Sequence, residues 1–295
     1  MRLVTYGQEG QQRFGALCEE GIADLTDAFA NAIAFLEGGE AACEKAGEIV
    51  RKGPRCVPVD GVKLCAPVPG ARKLICAASN YAEHIREGGG QAPQKARMTP
   101  WMFLKPASTT LIGPGDPIVI PRNAQQIDWE CELAVVIGRS ARFVSAEEAQ
   151  GYVAGYTILN DVSERSLKIE IDREPREWDR FFDWLNGKWF DTFGPSGPCL
   201  TLTDEIPDPQ DLRITLRVNG EVKQDGHTGQ MIHTVAELVA WCSRLMTLEP
   251  GDMIATGTPS GVGKARGEFL KPGDVVVCEI EKIGMLSNPV EAERI

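Results

Sequence analysis

The amino-acid sequence predicts a β-rich α+β protein, sandwich-like or barrel-like in its larger part, on three observations. Beyond residue 70 the chain runs as short apolar segments separated by turn signals, the pattern of an all-β core. Leu212 to Val218 runs into Asn219-Gly220 and out through Glu221 to Gln224, the strongest short-range hairpin signal. Gly53-Pro54-Arg55 and Pro67-Val68-Pro69-Gly70 punctuate the chain, so a small N-terminal α+β domain over 1–70 and a larger domain over 71–295 are expected.

The elements follow in order. Short strands are expected around 3–6 and 13–16, then helical patterns near 27–36 and 41–52. The glycine run 88–90 is the most flexible internal point, because glycine has no Cβ to restrict its backbone. A buried strand is expected across 128–138, where apolar Leu133 to Ile137 follow two glutamates, and a second across 156–161. Thr234 with Glu237 has capping-box spacing, and Val235, Leu238, Val239, Cys242, Leu245 and Met246 make an apolar stripe, so this helix reads as core scaffolding.

The 295 residues suffice for a sizeable core. Forty-two acids against 31 bases give a net charge of -11, which argues against nucleic acid and anionic membranes as partners. The first residues lack the apolar core of a signal peptide and no stretch has the length of a membrane span, so a cytoplasmic protein is expected. The nine cysteines are scattered, with no CxxC pair, and read as small buried hydrophobes or inert thiols.

Chemistry concentrates in a few places. A strand sends residues i and i+2 to one side, so Glu130 and Glu132 stand together, and Asp161 ends the next apolar run. Neighbouring buried carboxylates repel unless protons or a cation neutralise them, a task suited to Mg²⁺; a solvated polar face is the alternative. His84 and Glu87 are i and i+3 neighbours in a helical turn, where the carboxylate can orient the imidazole to activate water; solvated surface charges are the alternative. Lys105, after an apolar stretch, and Lys188, between aromatics, can neutralise an acidic site or bind an oxyanion, or simply snorkel to the surface. The glycine-rich 256–263 can offer backbone N–H groups and a hydroxyl to an anion, though without Walker-loop spacing.

NYAEH at 80–84, FLKP at 103–106, the ExE strand at 130–132, NDVSER at 160–165, GKWFDTFGPSGP at 187–198, VNGEVKQ at 218–224, LEPGDMIATGTPSGVG at 248–263 and LKPGDVVVCEIEKIG at 270–284 occur in this order. Together they resemble the fumarylacetoacetate hydrolase family across the C-terminal region. The resemblance implies mixed, mostly antiparallel sheets rolled into a β-sandwich or roll, with a smaller N-terminal domain and assembly as a homodimer. It implies Mg²⁺ or Mn²⁺ at Glu130, Glu132 and Asp161, with Lys188 beside the metal. It further implies water activation by His84 with Glu87, and contacts from Arg165 and Thr258 to a keto-acid substrate. Where many relatives have Asp, an apolar residue and Gln after the arginine, this chain has Ser166-Leu167-Lys168, so Lys168 is expected to add a different substrate contact. Trp189 and the acidic, aromatic stretch 169–184 also depart from the pattern.

The expectation is thus a divalent-metal-dependent hydrolase that cleaves a carbon–carbon bond in a 2,4-diketo acid of acylpyruvate, fumarylpyruvate or diketo sugar acid type, through a metal-stabilised enolate. Isomerase or decarboxylase chemistry on hydroxymuconate-type or oxaloacetate-like acids is the alternative. A non-catalytic metal-binding or dicarboxylate-binding protein is the third reading.

Overall fold

The structure is a computed structural model that describes residues 1–53, 56–91, 94–167 and 173–294. Lys168 and the segment 169–172 lie outside the described residues. The N-terminal part contributes β1 (Arg2–Gln8), β2 (Gln11–Cys18), β3 (Gly21–Asp24), β4 (Cys56–Val57) and β5 (Lys63–Leu64). There follow β6 (Leu74–Ala78), β7 (Trp101–Lys105), β8 (Leu111–Ile112), β9 (Ile118–Ile120), β10 (Ile127–Asp128), β11 (Cys131–Ile137), β12 (Val153–Asn160), β13 (Ser163–Glu164) and β14 (Gly194–Leu202). The chain closes with β15 (Arg213–Val218), β16 (Glu221–His227), β17 (Met253–Ala255), β18 (Val275–Ile280) and β19 (Gly284–Ala292).

A large sheet runs β4-β3-β2-β1-β14-β12-β11-β17-β6-β7, with β5 on β1 and β8 on β14; a second, five-stranded sheet runs β16-β15-β18-β19-β9. Most pairings are antiparallel, while β17 with β6, β19 with β9 and β14 with β8 are parallel, so both larger sheets are mixed. The chain punctuation near residue 70 falls between β5 and β6, yet β1 pairs with β14 and carries the N-terminal strands into the same sheet.

The strand β11 explains how the layers stack. All seven of its residues are buried. Leu133, Val135 and Ile137 point into a core shared with Ile214, Leu216, Cys278 and Leu286 of the second sheet. Ala134 and Val136 point the other way, into a core with Phe35, Ala42, Ala46 and Phe103. A strand covered on both faces has no polar side, which is why its sequence is an unbroken apolar run. Glu132 shares the parity of Ala134, so it emerges at the strand's start on the helix-covered face.

Local expectations meet the structure with a few shifts: the strand expected across 128–138 divides into β10 and β11, and Leu245 of the expected apolar stripe is exposed. Asn219 and Gly220 take φ of 52° and 83°, the two left-handed positions of a two-residue hairpin turn joining β15 to β16. The helix Val235–Leu245 carries the full Thr234/Glu237 capping box and buries Val235, Leu238, Val239 and Cys242. The first helix starts at Ala32 instead of residue 27, because Asn31 caps it through Ala34 N at 2.9 Å and the preceding residues form a turn on Leu25 O. The second runs Gly39–Arg51. Among the described residues no helix is long and apolar enough to cross a membrane.

Candidate active site

Glu130 sits one residue before β11, Glu132 inside it, and Asp161 one residue after β12, with Asp161 N donating to Glu130 O at 2.9 Å. Because β11 and β12 pair antiparallel with Cys131 opposite Asn160, the start of one meets the end of the other. Asn160 locks this junction by accepting a hydrogen bond from Glu130 N at 3.0 Å. The three carboxylates are 5%, 1% and 1% exposed, and an oxygen from each lies within 4.8 Å of the others.

Three cations answer them. Lys188 Nζ donates to Glu130 Oε2 and Asp161 Oδ2, both at 2.6 Å. Lys105 Nζ donates to Asp161 Oδ1 at 2.6 Å and to Val162 O at 3.0 Å. Arg165 donates through Nε to Asp128 Oδ2 at 2.8 Å and through Nη2 to Glu130. Burial penalises an ionised Glu130, but the neighbouring Arg165 and Lys188 outweigh it and hold the carboxyl well below its ordinary range. Burial likewise works against the Lys188 ammonium, yet Asp161 and Glu130 push it up to about 12. Glu132 has no salt bridge among the described residues; it accepts Gly257 N at 2.8 Å, and burial with the fields of Asp161 and Glu130 raises its carboxyl well above the usual range. Asp128, Glu130 and Asp161 thus face three cations, Lys105, Lys188 and Arg165, while Glu132 is a fourth carboxyl with no cation of its own among the described residues. A divalent cation fits this donor set: it has three oxygen ligands of the hard type it prefers, and it supplies the positive charge that Glu132 lacks.

The helix Ala82–Glu87 brings His84 to the same place. His84 Nδ1 and Glu87 Oε1 are 2.8 Å apart, and a carboxylate only accepts, so Nδ1 donates and Nε2 is the ring nitrogen that Glu87 does not engage. Glu87 is fixed in turn by Gly261 N at 2.7 Å. The glycine-rich 256–263 thus does offer N–H groups, and the carboxyls that take them are the protein's own Glu132, Glu87 and Asp128. Gly257 must be glycine: its φ is 88°, and a Cβ there would stand 2.8 Å from Asn80 Cβ.

A cavity of about 60 Å³ unites His84, Glu130, Glu132, Asp161, Arg165, Lys188 and Thr258, walled by Ala77, Ala78, Ser79, Phe103 and Trp184. Lys105, for which the sequence offered either neutralising an acidic site or binding a substrate oxyanion, is not in the wall; its fully buried ammonium lies behind Asp161. The Thr258 hydroxyl lines the cavity but is already engaged, donating to Cys131 O at 2.9 Å and accepting from Gln224 at 2.8 Å. A larger cleft of about 590 Å³ between 95–100 and the helix Val235–Leu245 contains a single carboxylate, Glu237, paired with Lys95. The buried carboxyls, lysine, arginine and histidine gather in the smaller cavity.

Sequence reasoning passed over several parts. Asp128 anchors Arg165 and accepts Lys264 N at 3.1 Å. Gln224 ties β16 to Cys131 N at 3.0 Å and to Thr258. Phe103 and Trp184 meet edge to face at 5.2 Å, with Lys188 Nζ 5.2 Å from the Phe103 ring centre. Asp128 two residues before the ExE pair and the aromatics flanking the lysines were the available signals.

A β-rich fold that gathers buried carboxylates, lysines and a histidine–glutamate pair around one small cavity defines the class, and the family model for the fumarylacetoacetate (FAA) hydrolase C-terminal domain matches residues 73–291. The chain belongs to the fumarylacetoacetate hydrolase family. It is 42% identical over 258 residues to the mitochondrial oxaloacetate tautomerase FAHD2A of Homo sapiens, covering 87% of this chain and 78% of that one. It is similar to the crystal structure of maleylpyruvate hydrolase from Sphingobium sp. SYK-6 in complex with manganese(II) and pyruvate, with 30% identity, a TM-score of 0.81 and 100% of both chains covered. It is also similar to 5-carboxymethyl-2-hydroxymuconate delta-isomerase from Mycobacterium smegmatis, with 34% identity, a TM-score of 0.77, and 99% of this chain and 100% of that one covered.

Proposed function

We propose that the protein is a divalent-cation-dependent enzyme that interconverts the keto and enol forms of a small 2-keto acid of oxaloacetate type. The observation that carries this reading is the size of the cavity that His84 shares with the carboxylates. At about 60 Å³ it is far below the several hundred Å³ of ordinary ligand sites, and Phe103 and Trp184 close its wall. A short acid suits it better than a long acyl chain. The similarity to an oxaloacetate tautomerase supports the same choice, which places the isomerisation alternative ahead of the hydrolysis expected from the sequence.

Glu130, Glu132 and Asp161 would hold Mg²⁺ or Mn²⁺, which when bound would supply Lewis acidity toward the 2-oxo group of a keto acid. His84, oriented by the Glu87 carboxylate on Nδ1, uses Nε2 to remove a proton from the carbon next to the carbonyl. The Lys188 ammonium stabilises the negative charge that develops on the oxygen. His84 then returns the proton to that oxygen, so no atom is gained or lost. Arg165, in the cavity wall, offers its guanidinium to the substrate's carboxylate end.

Hydrolysis is the second reading, favoured by the similarity to maleylpyruvate hydrolase. The same base could instead take a proton from water, and the Lys188 environment is equally suited to a pyruvate leaving group. Product analysis with oxaloacetate, acetylpyruvate and maleylpyruvate in Mn²⁺ separates the two. Faster enol–keto exchange of oxaloacetate with no carbon–carbon cleavage is expected, whereas rapid release of pyruvate from an acylpyruvate would move the assignment to hydrolysis.

A further inference from the structure

Two thiols far from the carboxylate centre make a separate chemical site. Cys18 ends β2 opposite Gly21, and Cys56 opens β4 opposite Ala23, so the two strands flank β3. Their sulfurs are 2.8 Å apart, inside ordinary van der Waals contact. Both residues are half-buried and within reach of a small reagent, unlike Cys131 and Cys278, whose thiols also touch but are 0% and 1% exposed. We propose that Cys18 and Cys56 form a dithiol modification site that reacts with low-molecular-weight disulfides of the glutathione type and closes to an intramolecular disulfide.

The exchange balances. The Cys18 thiolate attacks one sulfur of the small disulfide, forming a mixed disulfide and expelling one small thiolate. Cys56 gives up its proton and attacks Cys18 Sγ, forming the internal bond and expelling the second thiol. Two cysteine thiols are oxidised by two electrons while the reagent is reduced to two thiols. The hydrogen bond with Cys18 pushes the Cys56 thiol up to about 11, so the first attack falls to Cys18. The closed ring encloses the helices Ala32–Glu37 and Gly39–Arg51, whose Phe35, Leu36, Ala42 and Ala46 cover the large sheet. Cross-linking their two ends restricts the unfolded chain and stabilises that layer.

The full-length protein, incubated with glutathione disulfide and mapped by mass spectrometry without reduction, tests this. The expected result is a peptide pair joined through Cys18 and Cys56, loss of two hydrogens from the intact mass, a melting temperature raised by several degrees and full reversal by dithiothreitol. Cys56→Ser should stop at the glutathione adduct on Cys18. Absence of the 18–56 link, or the same loss of two hydrogens in Cys56→Ser, would overturn the proposal.

Discussion

Each residue of the site has a separable task. Glu132 is the carboxyl of the trio without a salt bridge among the described residues, so Glu132→Gln should weaken Mn²⁺ binding by at least about 100-fold, the upper range for the milder loss of an outer-shell partner. Mn²⁺ titration followed by paramagnetic resonance reads this directly, and unchanged affinity would remove Glu132 from the ligand set. Lys105→Met should act differently: it leaves Asp161 buried without one of its cations, and breaking such a pair costs about 3–5 kcal/mol. Denaturant unfolding of this variant is expected to show that loss, and a stability equal to wild type would contradict the neutralising role given to Lys105. The contrast shows how far the sequence speaks at this scale. The Glu130/Glu132 and His84/Glu87 pairs were legible because short spacing along a strand or helix fixes which side chains adjoin, whereas Asp161 joins them only through the pairing of β11 with β12. For Lys105 the sequence left neutralising an acidic site and binding an oxyanion both open, and its place behind Asp161 depends on strands that are far apart in the chain.

At the scale of elements, the chain's own signals fixed most of the local geometry. The Asn219-Gly220 turn and the Thr234/Glu237 box form as their chemistry requires, and Thr234→Ala should destabilise by about 1 kcal/mol in thermal unfolding. The N-terminal strands carry a pH-sensitive contact. Burial disfavours the Asp24 carboxylate, but hydrogen bonds from Thr26, Tyr6 and Arg13 outweigh this and lower its titration below the usual carboxylate range. A carboxyl whose folded value is depressed stabilises above its unfolded value and loses that contribution as pH falls through its folded value. Melting temperatures of wild type and Asp24→Asn should therefore differ at neutral pH and converge in acid; a gap that persists in acid would refute the linkage. What sequence periodicity could not show was the pairing of β1 with β14, which merges the N-terminal strands into the large sheet. That contact spans nearly two hundred residues and leaves no local trace.

For the whole molecule, the layers explain why so acidic a chain can build a cation site. The charge of -11 is spread mainly over the surface, whereas the centre buries four carboxyl groups beside three cations between β11, β12 and the helix-covered face. A divalent cation bound there would add the positive charge that Glu132 lacks. Phe103 and Trp184 then confine what can enter, and substituting Trp184 with Ala should shift selectivity toward longer acids, read as a fall in KM for acylpyruvates relative to oxaloacetate. An unchanged ratio would count against the cavity wall as the limit on substrate size.

The central claim is that the carboxylate-bound cation and His84 act together on a small 2-keto acid. It is tested most directly by following the decay of enol-oxaloacetate with and without Mn²⁺ in wild type and in His84→Ala. The expected result is saturable, Mn²⁺-dependent acceleration in wild type that falls by about 10²–10⁴-fold in the variant while Mn²⁺ still binds. Equal rates with and without the cation, or an undiminished rate in His84→Ala, would contradict it.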